Sequence, residues 1–298
     1  MIRRRDGLGN RTQNNTLSII TRIMAAVLVL LTIILAVLIY FKMTDTKKAD
    51  SGNVKDKADL EQAAGTAPAA DPPAALPPIQ DIGVGTIVDK AQVDSGLLDQ
   101  YFIAVEINDN IFQYIAGKSY VDNENISREQ LRYVKVLHYN FSHEVQVGEL
   151  IVNAGIAEDV RNIFRELYEQ EYEIASMYLI ENFWMEDGSS SDKNSIENNN
   201  TSAFNYRTVA GTEQLSNHAL GYAIDINPLQ NPCVAYNADG SFRENYKDME
   251  RYVDRANGEP HMIGHEDACY QIFAKYGFTW GGDWTDPIDY QHFEKNPG

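Results

Sequence analysis

Two segments of the sequence carry side chains whose types and spacing suit a metal ion. His218 and Asp225 lie in residues 215–228, and His292 lies near the end of the chain, in residues 289–294. Two imidazoles and one carboxylate suit Zn²⁺, and three protein ligands leave the fourth tetrahedral position to water. An open position is typical of a catalytic zinc site, so these three residues are the predicted zinc ligands.

The residues between the first two ligands predict how they are positioned. Gly221 can turn the chain after His218, and residues 223–227 alternate like a β-strand that ends at Pro228. The alternation predicts that Asp225 lies on the opposite face from Ile224 and Ile226.

The third ligand lies close to a further acidic residue. Asp289 precedes His292 by three positions, which in a regular strand would place the two side chains on opposite faces. A bend or bulge after Pro287 is therefore expected between them.

The order of these motifs resembles a known enzyme family. The motifs are Ser216-x-His218-x-x-Gly221-x-Ala223-x-Asp225, then Gly282-Asp-Trp284, then Asp289-x-x-His292-Phe-Glu294. They resemble the zinc peptidases of peptidoglycan stem peptides, which include VanY-type D-alanyl-D-alanine carboxypeptidases and L-alanyl-D-glutamate endopeptidases. The fold of these peptidases is shared with lysostaphin-type enzymes and the hedgehog signalling domain. The resemblance covers roughly residues 100–296.

The resemblance implies roles for individual residues. His218, Asp225 and His292 take the places of the zinc ligands, and Asp289 takes that of the catalytic acid and base. Many carboxypeptidase members carry Glu at that place, whereas Asp is associated with the endopeptidase branch, so both substrate bonds stay open.

Three further residues are expected to contact the substrate: Arg207, Ser216 and Trp284. The Arg207 guanidinium could bind a substrate carboxylate or stabilise the developing oxyanion, or it could form a structural salt bridge. Trp280 and Trp284 either line the groove or close the core, and Asp283 is a candidate to orient a ligand histidine.

The resulting hypothesis is a zinc-dependent hydrolase that acts on peptidoglycan stem peptides. Zinc would activate a water molecule, and Asp289 would transfer its proton to the leaving amine. A non-catalytic wall-binding module with a structural metal is the alternative from another functional class.

Composition excludes some partners and leaves others open. The net charge is −18, from 25 basic and 43 acidic residues, and such an acidic chain would repel a nucleic-acid backbone. Cys233 and Cys269 are the two cysteines, and they could form a disulfide or remain two buried thiols.

The chain before the predicted enzyme domain divides into three parts. Residues 1–22 form a basic tail, and the uncharged apolar residues 23–41 are long enough to cross a bilayer of ~30 Å as a helix. An uncleaved anchor is expected because no cleavage pattern follows it. Residues 42–95, rich in Ala and Pro, predict a disordered linker.

Residues 96–298 are the predicted zinc peptidase domain, of the α+β class, with a small antiparallel sheet that carries the metal site and flanking helices. The inferred substrate places this domain outside the cell, on the cell-wall side of a single-pass anchor. Positive charges flank residues 23–41 on both sides, so charge does not decide the orientation.

Periodicity predicts the elements of the domain. Expected are a capping box at 127–130, strands at 133–141, 145–152 and 174–180, helices at 157–168 and 267–276, and a loop at 187–200. His261 and His265 are a rival metal pair by spacing alone, and His138 and His143 belong to the strand pair at 133–152.

Overall fold

The computed structural model describes residues 75–243 and 248–296. The α-helices of this part are α1 (Asp109–Ile115), α2 (Ala157–Glu169), α3 (Gly188–Glu197), α4 (Met249–Val253) and α5 (Ala268–Lys275). The strands before the metal motif are β1 (Ile87–Val88), β2 (Phe102–Glu106), β3 (Leu131–Tyr139), β4 (Val145–Asn153), β5 (Ser176–Met177) and β6 (Asn200–Thr201). The later strands are β7 (Ala223–Asp225), β8 (Cys233–Val234), β9 (Thr279–Trp280), β10 (Ile288–Asp289) and β11 (His292–Glu294).

The largest sheet has four antiparallel strands in the order β1-β4-β3-β2. Its centre is the predicted hairpin, in which Leu131 lies opposite Asn153 and Tyr139 opposite Val145. Helix α2 packs against β3 and β2, because Val160, Ile163 and the other apolar residues of its inner face are buried at helical spacing. The predictions of this hairpin and this helix are confirmed.

The metal motif lies on a smaller sheet of three antiparallel strands, in the order β7-β11-β9. Phe293, at the middle of β11, is fully buried and stacks on Phe273 of α5 with ring centroids 4.3 Å apart. Asp267 caps α5, as its side chain accepts a hydrogen bond from the Cys269 N–H at 2.8 Å. The mixed α+β class with small antiparallel sheets is confirmed, and the predicted helix at 267–276 is present.

The ordered domain begins earlier than the sequence predicted. Ile79 is fully buried in the main core, β1 pairs with β4, and the Lys135 ammonium donates to the Ile82 carbonyl at 2.5 Å. The expected end of the linker at residue 95 is therefore corrected. Apolar residues of this segment pack into the core at the edge of the sheet. The predicted tail at 1–22 and transmembrane helix at 23–41 lie outside the described residues.

Two other local predictions also change. Residues 187–200 were expected to be a loop, but they contain α3, whose start is fixed by a capping box between Asp187 and Ser190. The expected strand at 174–180 is only the two-residue β5, which pairs in parallel with β6. The capping box of Ser127 and Gln130 is present on a 3₁₀ turn.

Both cysteines are free thiols, Cys233 partly buried and Cys269 fully buried. The option of a disulfide between them is therefore not realised in this fold. None of the helices in the described ranges has the length and apolar character needed to cross a bilayer.

Candidate metal centre

The pairing of β11 with β7 brings two of the predicted ligands together. His292 lies directly opposite Asp225 in the antiparallel register, so both side chains leave the same face of the sheet. All residues of β7 are buried, because the face opposite Asp225 packs into the core through Ile224. The predicted strand thus places its carboxylate in a buried position on a rigid element.

A short 3₁₀ turn, Asn217–Leu220, carries the third predicted ligand. The Ser216 hydroxyl caps the turn by accepting from the His218 N–H at 3.3 Å. The turn ends at Gly221, whose φ of 72° lies in the left-handed region that favours glycine. A Cβ on Gly221 would lie 2.6 Å from the Asn153 nitrogen, so the end of β4 can approach only a glycine here.

The donor atoms of the three residues converge. The His218 Nε2 lies 3.2 Å from the His292 Nδ1 and 3.2 Å from the Asp225 Oδ2, and the His292 Nδ1 lies 3.1 Å from the Asp225 Oδ1. A tetrahedral zinc ion with Zn–N bonds of about 2.0–2.1 Å separates its ligand atoms by about 3.3 Å. These separations fit a zinc ion bound at the centre of the three donors.

The outer nitrogens of both imidazoles already have acceptors. The His218 Nδ1 faces the Ala203 carbonyl oxygen at 2.6 Å, and the His292 Nε2 faces the Glu294 Oε2 at 3.0 Å. The Asn217 amide holds the same Glu294 oxygen at 2.6 Å. Each ring can therefore donate its outer N–H, which leaves the inner nitrogen to bind a metal once any proton there is displaced, as metal-ligating histidines do.

The charged groups around the centre shift one another's pKa values. Burial opposes ionisation of Asp225, but the facing imidazoles of His218 and His292 outweigh burial and hold its pKa well below the usual range. Burial likewise opposes a charged His292, yet its hydrogen bonds to Asp225 and Glu294 raise its pKa to about 10. In the absence of metal, a proton on His292 thus occupies the place that a cation would take.

The candidate acid and base lies beside this centre on a different sheet. Asp289 is on β10, which pairs with β8 and not with β11, and the chain bends through 290–291 before His292. The bend expected from sequence is present. Gly281 allows the close packing, because a Cβ there would lie 2.6 Å from the Asp289 carbonyl oxygen and 3.2 Å from the His292 Cβ.

One oxygen of Asp289 is available for chemistry. Its Oδ1 is buried without a hydrogen-bond partner, while the Cys233 thiol, directly opposite on β8, hydrogen-bonds to the carboxylate. Burial and the charge of Asp225 raise the pKa of Asp289 to about 6. A carboxyl group with such a pKa can both accept and return a proton near neutral pH.

Residues 210–295 match the family model described as D-alanyl-D-alanine carboxypeptidase. The recognition of this peptidase family from the motifs is confirmed. The matched span contains the three predicted ligands and Asp289, but it begins after Arg207. Neither the curated proteins nor the solved structures gave a match.

Arg207 lies just before the matched span and forms a salt bridge. Its Nη2 donates to the Asp192 Oδ2 at 2.7 Å, whereas its Nε is buried and has no partner. The charges of Asp225 and Asp289 also attract the guanidinium, and the Arg207 carbonyl accepts from the Ser216 N–H at 3.1 Å, next to the turn that carries His218. The structure therefore contains the salt bridge, whereas a contact of Arg207 with substrate stays a prediction.

The other predicted substrate contacts differ in their surroundings. Trp284 is 37 % exposed, and its ring centroid lies 5.1 Å from that of His292, so its face is available at the rim of the site. Trp280 instead closes the core, with its indole N–H bonded to the Tyr290 carbonyl. Ser216 is buried and its hydroxyl is used by the turn, so its contact with substrate stays a prediction.

The structure assigns the orientation of His292 to a different acid than expected. Asp283 pairs with the exposed His265 at 2.8 Å, and Glu294 contacts His292. Sequence reasoning missed Glu294, although its spacing of two from His292 on a strand predicts a shared face. It also missed Asp192, because α3 was not recognised as a helix.

The remaining histidines do not form a second metal centre. His261 stacks on Phe141, with ring centroids 3.8 Å apart, and lies apart from the His265–Asp283 pair. His138 is buried in β3, and His143 contacts Glu171 and Glu173 at the surface. Within the described ranges, His218, Asp225 and His292 form the group whose donors converge closely enough to hold a metal.

Proposed function

We propose that this protein is a zinc-dependent peptidase that removes the terminal D-alanine from peptidoglycan stem peptides. The observation that carries the proposal is the free, buried Oδ1 of Asp289 beside three converging metal donors. The family match supports the carboxypeptidase assignment. A purely structural zinc site has no use for a buried carboxylate oxygen without a partner, which argues against a non-catalytic module.

His218, Asp225 and His292 would hold the zinc ion, with Ala203 and Glu294 fixing the two rings. When bound, zinc supplies Lewis acidity to a water molecule and to the scissile carbonyl. The Asp289 Oδ1 accepts the proton of the attacking water and returns it to the leaving amine. The Arg207 Nε–H, which lacks a partner, donates to the carbonyl oxygen as negative charge develops there.

A second candidate is cleavage of the L-alanyl-D-glutamate bond within the stem peptide. One observation favours it: Asp192 already pairs with Arg207, which reduces the positive charge available to a terminal carboxylate.

The membrane assignment is a separate proposal and is supported by sequence alone. Residues 23–41 are apolar and uncharged, so we propose a single-pass anchor that keeps the enzyme domain on the cell-wall side. Extraction of the full chain from membranes by detergent, but not by salt or alkali, would support an integral anchor. Release by salt alone would contradict it.

Digestion of purified muropeptides tests the function directly. The products are weighed by mass spectrometry: loss of one alanine identifies the carboxypeptidase, and cleavage after L-alanine identifies the endopeptidase. Asp289→Asn should retain zinc and lose activity by about 10²–10⁴-fold, because the proton acceptor is removed. Asp283→Asn, an exposed neighbour paired with His265, is the matched control and should retain activity. Full activity of Asp289→Asn would refute the mechanism.

A further inference from the structure

Helix α3 brings an additional carboxylate to the wall of the candidate site. Its Asp192 pairs with Arg207 at 2.7 Å, and the two side chains are only 18 % and 15 % exposed, respectively. The pair is therefore largely shielded from solvent, and its geometry is not that of a mobile surface contact.

Packing fixes the helix against the segment that carries Arg207. The Asn205 amide donates to the Gly188 carbonyl at 2.8 Å, and a Cβ on Gly188 would lie 3.3 Å from the Arg207 Cβ. At the other side of α3, the Asn194 amide donates to the Phe183 carbonyl at 2.9 Å. Asp192 is thus held in place by its helix as well as by the guanidinium.

The contacts of the guanidinium leave one of its three nitrogens, Nε, without a partner. Its Nη2 is used by Asp192, its Nη1 lies 3.4 Å from the Thr208 carbonyl, and its Nε has no partner. The Nε–H suits a carbonyl oxygen, whereas a carboxylate is best bound by two parallel donors, and the second would have to come from an Nη that already contacts Asp192 or Thr208.

The charges around Arg207 also favour a neutral group of the substrate over a carboxylate. The carboxylates of Asp192, Asp225 and Asp289 attract Arg207, and Asp192 is the one that pairs with it directly. A ligand that brings another negative charge next to Arg207 would be repelled by Asp192. A neutral carbonyl oxygen at the same place would not be repelled.

We propose that Asp192 is a specificity-determining residue that reserves Arg207 for an uncharged carbonyl oxygen of the substrate. The site then accepts a stem peptide whose carboxyl end is blocked or extended about as well as one with a free terminal carboxylate. This inference rests on the proposed peptidase function. It defines the substrates as peptides in which the group that faces Arg207 is uncharged.

Two peptides test the inference with the zinc-loaded full chain. One is a stem pentapeptide that ends in D-alanyl-D-alanine with a free carboxylate, and the other is the same peptide with a terminal carboxamide. The unsubstituted protein should cleave both with kcat/KM values within about threefold of each other. Asp192→Asn keeps the size of the side chain but removes its charge, and it should raise the acid-to-amide ratio about tenfold.

Two further variants separate charge from structure. Asp192→Glu restores the charge and should restore a ratio near that of the unsubstituted protein. Asp109→Asn removes an exposed aspartate that pairs with Arg128 on α1, and it should leave the ratio unchanged. An unchanged ratio in Asp192→Asn, or a strong preference of the unsubstituted protein for the free acid, would overturn the inference.

A binding measurement keeps this result distinct from the fate of the proposed function. In the Asp289→Asn background, calorimetry gives the dissociation constants of both peptides with and without the Asp192→Asn change. If neither peptide is hydrolysed by the unsubstituted protein, the proposed function fails, while the shift in the ratio of dissociation constants still decides the role of Asp192. Absence of binding by both peptides would overturn both proposals.

Discussion

Replacement of Gly221 by alanine should destabilise the protein through two separable effects. The left-handed backbone at φ 72° costs a non-glycine residue about 1–2 kcal/mol. The new Cβ would also lie 2.6 Å from the Asn153 backbone nitrogen, and such overpacking costs about 1–3 kcal/mol. The sum is about 2–5 kcal/mol, which for a domain of this size lowers Tm by about 4–20 °C.

Gly211 provides a matched control for the backbone effect. Its φ is 75°, and a Cβ there would meet nothing within 4 Å, so Gly211→Ala carries only the first cost. Urea unfolding of both variants, with zinc removed by a chelator, should separate their free energies of unfolding by about 1–3 kcal/mol. Gly221→Ala should also take up less zinc, because the displaced turn carries His218. Equal stabilities of the two variants would show that the close approach of β4 does not constrain this turn.

Three other predictions concern the chemistry of the centre. Glu294→Gln should weaken zinc binding about 10–100-fold in a chelator competition, since it alters the acceptor that orients His292, and unchanged affinity would contradict that role. Because the pKa of His292 is raised to about 10 without metal, zinc must displace a proton below that pH. Zinc affinity should therefore rise about tenfold per pH unit from about pH 7 to 9, and a flat profile in metal-buffered titrations would refute the assignment. Cys233→Ala should lower kcat about three- to tenfold through loss of a hydrogen bond to Asp289, with recovery in Cys233→Ser, and equal rates in the two variants would argue against that contact.

The parts of the fold that could be predicted are those with a strong local pattern. Helix α2 shows apolar residues at helical spacing, and the turn at Gly221 and the strand at 223–225 follow from local residue types. Helix α3 was missed because its Ser- and Asn-rich composition has weak helix propensity and no apolar stripe. The sequence feature that indicates its start is Asp187, a strong N-cap residue, with Ser190 three positions later as its capping-box partner.

The site shows a similar division between local and distant information. The sequence motif predicts the three converging residues. The hydrogen bonds that orient the two histidines come from Ala203 and Glu294, whose roles depend on tertiary packing. The partner of Arg207 likewise depends on where α3 docks. The composition of the segment before residue 95 predicts a linker, whereas the burial of Ile79 depends on a distant sheet edge.

Strand β11 supplies both His292 and Glu294 from alternate positions on one short strand. If this strand slipped by one residue against β7, both side chains would turn to the opposite face, and Phe293 would point at the metal donors. Incorrect pairing would thus remove a ligand and its supporting acid at the same moment, with no partly competent arrangement in between. Tight metal uptake by a folding chain would then serve as a check that this strand has found its proper alignment.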